Sequence, residues 1–181
     1  AIFSAILDVL KQEVAADRRA PETPDAAPER PRAVERLAVV GTGLVGTSVA
    51  LAASRAGTRC RGFDSDPAVL ERAAARGAVE PAPSLTEAVA DAELVVVSVP
   101  VGAAPAVVQG VLDVVGEAVI VTDVASTKRQ LAELSDQRFV PGHPVAGGAT
   151  GGPGRAAADL FDAATWFLTP TEASSAAAVE L

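Results

Sequence analysis

From Arg36 onward, short valine-rich runs alternate with longer stretches in which apolar residues recur at helical spacing. This alternation predicts buried strands connected by amphipathic helices. The predicted strands are 36–41, 58–64, a short one near 79, 94–100, 117–124, 138–142 and 165–170, and the predicted helices are 44–57, 67–77, 84–92, 103–115, 126–134 and 154–161. Valine-rich strands that alternate with helices are typical of parallel sheets covered on both faces. The pattern therefore predicts an α/β fold with a doubly wound, mostly parallel sheet.

The first 35 residues follow a different pattern. Apolar residues in 1–16 recur at helical spacing with charges on the other face, which predicts one amphipathic helix. Prolines spaced among charged residues stop both helix and sheet, so 17–35 is predicted to be a linker. The remaining 36–181 forms the α/β domain. The chain lacks an initiator methionine and stops in mid-pattern, so we expect it to have been cut from a longer protein.

Composition narrows the class of function. Hydrophobic residues make up 49% of the chain, which argues against global disorder. A net charge of −8 argues against a nucleic-acid binder, and no apolar run approaches the roughly 18 residues of a membrane span. The one cysteine, Cys60, cannot form an internal disulfide and lies in an apolar run. We therefore expect a buried, inert thiol and a reducing compartment, the cytoplasm.

Gly41, Gly43 and Gly46 stand in G-x-G-x-x-G spacing between a predicted strand and a predicted helix. In that context the first glycine makes a tight turn, the second lets the backbone approach a pyrophosphate, and the third lets helix pack on strand. The helix N-terminus then offers free N–H groups to the phosphates. The loop predicts a Rossmann domain that binds NAD, although glycines serving only turns and packing would give the same string. The loop residues expected to bind the cofactor are Gly41, Thr42, Gly43, Leu44, Val45 and Gly46.

Asp64 ends the next predicted strand, 18 residues after Gly46. This is close to the distance of roughly 20 residues expected for the acid that binds the ribose 2′-hydroxyl. A carboxylate there would repel a 2′-phosphate, which favours NAD over NADP. Asp66 is a possible substitute for Asp64, and Arg61 argues weakly for NADP.

His143 is the only histidine and lies between Gly142 and Pro144 at the end of a predicted strand. Ligands in such folds bind beyond the carboxyl ends of the strands, where 98–100, 123–126 and 169–170 are also predicted to lie. An imidazole at that edge can accept the proton of an alcohol while hydride leaves for NAD. A histidine that is merely structural or exposed is the alternative. No metal site is predicted, because ligand partners at suitable spacing are lacking, and there is no G-x-S-x-G motif of a serine hydrolase.

Four strings, VVGTGLVGTSVALAASRAG, DVASTK, PGHPVAGG and ADLFDAATWFLTP, resemble in their order and spacing the nucleotide-binding half of prephenate dehydrogenases. The resemblance runs from about Leu37 to Leu181. It implies NAD-dependent oxidative decarboxylation of prephenate to 4-hydroxyphenylpyruvate, in tyrosine biosynthesis. It also implies that His143 accepts the hydroxyl proton and that Ser126 hydrogen-bonds the same hydroxyl. The residues that it places along the cofactor groove are Ser98, Val99 and Pro100.

The resemblance leaves several points open. Lys128 fits the family motif, but a solvated charge in the first turn of the predicted helix explains it equally well. Family members usually carry a charged segment after H-P-x-A-G, where this chain has GATGG at 148–152. Substrates such as arogenate or 4-amino-4-deoxyprephenate therefore remain alternatives to prephenate, and a β-hydroxyacid dehydrogenase or a non-catalytic NAD-binding regulatory module remains an alternative function.

The family's C-terminal helical domain, which forms the dimer, is absent from this sequence. The resemblance therefore implies a sheet truncated at its C-terminal end, and a homodimer only in the full-length protein. The fragment alone is expected to bind NAD better than it turns over substrate. Because some relatives follow a chorismate mutase bundle, the helix at 1–16 is either the end of such a domain or an unrelated extension.

Overall fold

The computed structural model describes residues 34–146, 151–175 and 178–179. The strands are β1 (Arg36–Val40), β2 (Arg59–Phe63), β3 (Glu80–Pro81), β4 (Leu94–Val97), β5 (Ile120–Asp123), β6 (Phe139–Val140), β7 (Gly142–Pro144) and β8 (Trp166–Leu168). The α-helices are α1 (Leu44–Arg55), α2 (Pro67–Ala75), α3 (Leu85–Val89) and α4 (Ala104–Leu112). Each prediction up to 124 corresponds to one of these elements, with ends that differ by a few residues.

Six strands form one parallel sheet in the order β3-β2-β1-β4-β5-β6. Successive residues of a strand point to opposite faces, and β4 supplies a core to each. Val95 and Val97 belong to a core with Val108 of α4, whereas Val96 belongs to a second core with Val49 of α1. Helices therefore cover both faces, and the predicted doubly wound α/β fold is confirmed.

The last two strands form a separate sheet in which β7 and β8 are antiparallel. The strand predicted at 165–170 is thus present but does not join the parallel sheet. After β8 the chain runs back beside β6, because the Thr169 amide donates to the Pro141 carbonyl and the Ser174 hydroxyl to the Phe139 carbonyl. Thr169 therefore lies beside the residue that follows β6, at the carboxyl-end edge of the parallel sheet, and a ligand role for 169–170 stays a prediction.

The helices predicted at 126–134 and 154–161 are wrong. In 126–134 the structure has only a 3₁₀ turn, Leu131–Glu133, and in 154–161 only Pro153–Arg155. In the second segment tertiary partners take the backbone groups that a helix would use. Arg76 donates to the carbonyls of Gly154 and Ala156, and the Ala157 amide donates to the Ser48 hydroxyl.

The predicted N-terminal helix at 1–16 and most of the predicted linker lie outside the described residues. The last two residues of the predicted linker, Val34 and Glu35, are hydrogen-bonded to the start of β2. The Thr58 hydroxyl donates to the Val34 carbonyl, and the Arg59 amide donates to the Glu35 carbonyl. The division of the chain at residue 35 stays a prediction. Over the described ranges, the helices are too short or too polar to span a membrane.

Candidate functional site

The glycine loop lies where the strand order reverses, at the carboxyl ends of β1 and β4. The Ser98 amide donates to the Val40 carbonyl at 2.7 Å, which joins the two strand ends. Gly41 has φ of +90°, and a methyl group there would collide with the Ser98 carbonyl. Ser98 therefore packs directly against the first glycine of the loop, at the point where a doubly wound sheet has its ligand crevice. Crevices at this point of doubly wound sheets hold nucleotides.

The amino end of α1 opens into this crevice. Gly43 is the N-cap of α1 and has no side chain to cap the first N–H groups. A methyl group on Gly43 would meet no atom within 4 Å, whereas one on Gly46 would collide with the Gly41 carbonyl. Leu44 and Val45, at the start of the helix, are half-buried. Free N–H groups beside open space suit a phosphate, so the residues present fit a dinucleotide.

Asp64 follows β2 and braces the glycine loop. Its Oδ2 accepts hydrogen bonds from the Thr42 amide at 2.7 Å and the Thr42 hydroxyl at 3.3 Å. Its Oδ1 accepts from the Asp66 amide at 3.0 Å. A carboxylate has about four acceptor positions, so the half-buried Asp64 keeps capacity for a ribose hydroxyl.

Two neighbours of Asp64 have other roles. Asp66 is the N-cap of α2, and its side chain accepts from the Ala68 amide at 2.9 Å. Arg61 makes ion pairs with Asp91 at 3.2 Å and Glu80 at 3.8 Å. Arg61 is therefore engaged elsewhere, which weakens the one sequence argument for a 2′-phosphate.

His143 lies in β7, just beyond the end of β6, at the same edge of the parallel sheet as the end of β5. Its side chain is half-exposed, but Nδ1 is enclosed and has no hydrogen-bond partner in the described part of the chain. The cross-strand neighbour of His143 is Phe167, which is 51% exposed. Directly opposed residues share one face of a sheet, so an apolar ring flanks the imidazole.

Ser126 lies three residues beyond the end of β5 and is exposed. It is thus brought to the edge where His143 lies. Among the described residues, no hydrogen bond joins Ser126 to His143. Any joint action of the two side chains would therefore have to operate through a bound substrate.

Asp123 and Lys128 form an ion pair beside the loop of His143, which was not predicted from the sequence. Asp123, at the end of β5, is fully buried and accepts from Lys128 Nζ at 2.6 Å. Burial lowers the pKa of Lys128, and the adjacent Asp123 carboxylate opposes that shift. The interpretation of Lys128 as a solvated helix charge is wrong. The available signal was an aspartate that ends a buried strand with a lysine five residues later.

Two further features bear on the chemistry. Cys60 is buried, as expected, and burial raises the pKa of its thiol, which disfavours a reactive thiolate. No group of three or more potential metal ligands occurs within 34–146, 151–175 and 178–179. The candidate site thus consists of the crevice and the edge around His143.

Comparison with known proteins shows what the chain is similar to. A family model described as prephenate dehydrogenase, nucleotide-binding domain, matches residues 49–181. A probable prephenate dehydrogenase of Streptomyces niveus, NovF, is 36% identical over 148 residues, which cover 78% of this chain and 39% of that protein.

Two solved structures have the same fold. Arogenate dehydrogenase from Synechocystis superposes with a TM-score of 0.73 at 32% identity and covers 78% of this chain and 52% of that one. Prephenate dehydrogenase from A. aeolicus, in complex with hydroxyphenyl propionate and NAD+, superposes with a TM-score of 0.71 at 24% identity. The superposition covers 80% of this chain and 54% of that one. The chain therefore spans between 39% and 54% of the length of these relatives.

Proposed function

Since the chain belongs to the prephenate dehydrogenase family and contains its nucleotide-binding domain, we propose that it provides the NAD-binding half of an enzyme that converts prephenate to 4-hydroxyphenylpyruvate. The observation that carries this proposal is the position of His143. The only imidazole of the chain is half-exposed at the edge of the sheet where the glycine loop opens. Tyrosine biosynthesis is the pathway that such a reaction would serve.

The crevice supports NAD as the cofactor. The amino end of α1 with Gly43 would receive the pyrophosphate, and Asp64 would accept a hydrogen bond from the adenosine ribose. Ser98, Val99 and Pro100 would line the opposite wall. When bound, NAD would supply the hydride acceptor for oxidation at the hydroxyl-bearing ring carbon.

His143 would act as the general base. Its Nδ1 is enclosed, whereas Nε2 is not, so Nε2 is the nitrogen that would take the proton of the 4-hydroxyl. Ser126 would hydrogen-bond the same hydroxyl and hold it near the imidazole. As that carbon is oxidised, the bond to the ring carboxylate breaks and its electron pair enters the ring. The ring becomes aromatic as carbon dioxide leaves, and its oxygen would take the proton back from His143.

Replacing the base tests this proposal. In the complete protein, His143→Asn should lower kcat with prephenate by about 10²–10⁴-fold, because general base catalysis typically contributes that much. NAD affinity, measured by calorimetry, should stay within about twofold, because the glycine loop follows β1, which is three strands away from β6. A variant that keeps the wild-type kcat would exclude His143 as the base.

Arogenate is a second candidate substrate, because a solved arogenate dehydrogenase is 32% identical to this chain. It carries the same ring hydroxyl, so His143 and Ser126 would act on the same proton. For 4-amino-4-deoxyprephenate the group beside His143 would be an amine. Competition between pairs of these substrates for one enzyme would rank them by kcat/KM. A homodimer and a cytoplasmic location stay predictions.

A further inference from the structure

The loop that carries His143 is anchored to β5 by two buried charges. Asp123 Oδ1 accepts a hydrogen bond from the Gly142 amide at 3.1 Å, and Oδ2 accepts from the Ala125 amide at 2.7 Å. Oδ2 also accepts from Lys128 Nζ at 2.6 Å. Every one of these contacts lies at the carboxyl end of β5, on the buried side of the candidate site.

Lys128 completes the anchor from the other side. Its ammonium group donates both to Asp123 and to the carbonyl oxygen of Gly142, and its side chain is only 17% exposed. The N–H and the C=O of Gly142 are therefore both bound by this pair. Since that carbonyl belongs to the peptide bond that leads into His143, the pair fixes the backbone from which the imidazole projects.

Gly142 is closely packed by its neighbours. A methyl group there would lie 2.8 Å from the Asp123 carbonyl oxygen, the Thr122 hydroxyl and Trp166 Nε1. Thr122 is itself buried, and its hydroxyl donates to the Val140 carbonyl at 2.7 Å. Close packing of this kind lets a contact beneath the loop determine where the side chain above it lies.

We propose that Asp123 and Lys128 are positioning residues for the reaction, because they hold the peptide of Gly142 and thereby set the position and orientation of the His143 imidazole. This inference rests on the proposed function, in which His143 is the general base. Neither side chain is required to touch substrate. A misplacement of a catalytic group by about 1 Å can cost about 10²-fold in rate, so a backbone anchor of this kind matters to catalysis.

Kinetics of Lys128→Met in the complete protein test the proposal. We expect kcat to fall about 10- to 100-fold, while KM for NAD stays within about twofold, because the glycine loop is not anchored by this pair. Arg129→Met is the matched control. It removes one positive charge from the next position, which is exposed and makes no ion pair among the described residues, and should keep the wild-type kcat.

A second variant guards against unfolding, since Lys128→Met leaves the Asp123 carboxylate buried without its cation. Asp123→Asn combined with Lys128→Met removes both charges, so no unpaired charge stays buried, but it also removes the ammonium contact to Gly142. It should fold with a cooperative transition and still show the lowered kcat. A double variant with wild-type kcat would overturn the proposal.

An NMR experiment distinguishes failure of this inference from failure of the proposed function. The chain has one histidine, so NMR of the 181-residue chain gives a single imidazole signal for Cε1–H. We expect Lys128→Met and the double variant to shift or broaden this signal and to speed hydrogen exchange at the Gly142 amide. If these readouts match those of Arg129→Met, the anchor does not position His143, whatever substrate the enzyme uses.

Discussion

Gly43 and Gly46 belong to the same glycine motif at the start of α1, but the structure gives them different physical roles. A methyl group on Gly43 would enter open space in the crevice, whereas one on Gly46 would collide with backbone. We therefore expect Gly43→Ala to lower NAD affinity about tenfold or more by obstructing the phosphates. Its free energy of unfolding should change by less than about 1 kcal/mol, since only an N-cap preference is lost.

Gly46→Ala is the matched comparison for that experiment. It should destabilise the fold by about 1–3 kcal/mol or more, because α1 would have to move off β1. Urea unfolding with and without NAD measures both effects for both variants. If Gly43→Ala bound NAD with unchanged affinity, the pyrophosphate would not lie against the amino end of α1.

Among single residues, those with a backbone role were predictable from the sequence. The glycines of the loop and the position of Asp64 follow from spacing alone, because turn geometry restricts which residue types can stand there. The partner of Lys128 was missed, because a lysine five residues after a strand-ending aspartate can be either an exposed helix lysine or a lysine paired with that aspartate. The choice depends on whether 126–134 forms a helix, and that is decided by tertiary contacts.

At the scale of elements, Asp136 and Arg138 fasten the end of α4 to the start of β6. The Asp136 carboxylate accepts two side-chain hydrogen bonds from Arg138, at 2.6 and 2.9 Å. Arg138 in turn donates to the carbonyls of Leu112 and Val115, beyond which α4 does not continue. The guanidinium holds the pKa of Asp136 below its ordinary value of 3.8.

This depressed pKa predicts a specific pH dependence. The folded state binds a proton at Asp136 less readily than the unfolded state, so the pair's full contribution is present above pH 3.8 and is lost as pH falls through the lower folded value. Asp136→Asn should therefore cost about 1 kcal/mol near neutral pH and nothing in strong acid, as measured by urea unfolding across pH.

An exposed carboxylate provides the control for that experiment. Asp159→Asn removes a charge that makes no ion pair within the described residues, and should leave the free energy of unfolding unchanged within about 0.5 kcal/mol at every pH. A penalty for Asp136→Asn that persisted unchanged into strong acid would show that packing, and not the charge pair, is lost.

Elements up to β5 were predictable because hydrophobic periodicity and local capping agree with the fold. Beyond β5 the strands predicted at 138–142 and 165–170 are present, but the helices predicted at 126–134 and 154–161 are not. The segment 154–161 has helical spacing, yet the Arg76 guanidinium binds its carbonyls and Ser48 its amide nitrogen. These partners lie at least 78 residues away in sequence, and periodicity carries no information on contacts at that range.

At the scale of the whole molecule, alternating strands and helices predict a parallel sheet with helices on both faces, but they do not fix the observed strand order β3-β2-β1-β4-β5-β6. The antiparallel pair of β7 and β8 does not follow, because a short strand has no sequence mark for its direction. This pair is nevertheless what presents His143 at the edge of the sheet. The chain spans between 39% and 54% of its relatives' length. Contacts to the substrate other than those of His143 and Ser126 are therefore to be examined in the complete protein.

The proposed reaction is tested by following NADH formation by the complete protein with NAD and prephenate, arogenate or 4-amino-4-deoxyprephenate. We expect rapid turnover of prephenate, with one carbon dioxide released per NADH and both products lost together in His143→Asn. Binding of NAD without NADH formation from any of the three would contradict this expectation, and the chain would then be a nucleotide-binding module without this chemistry.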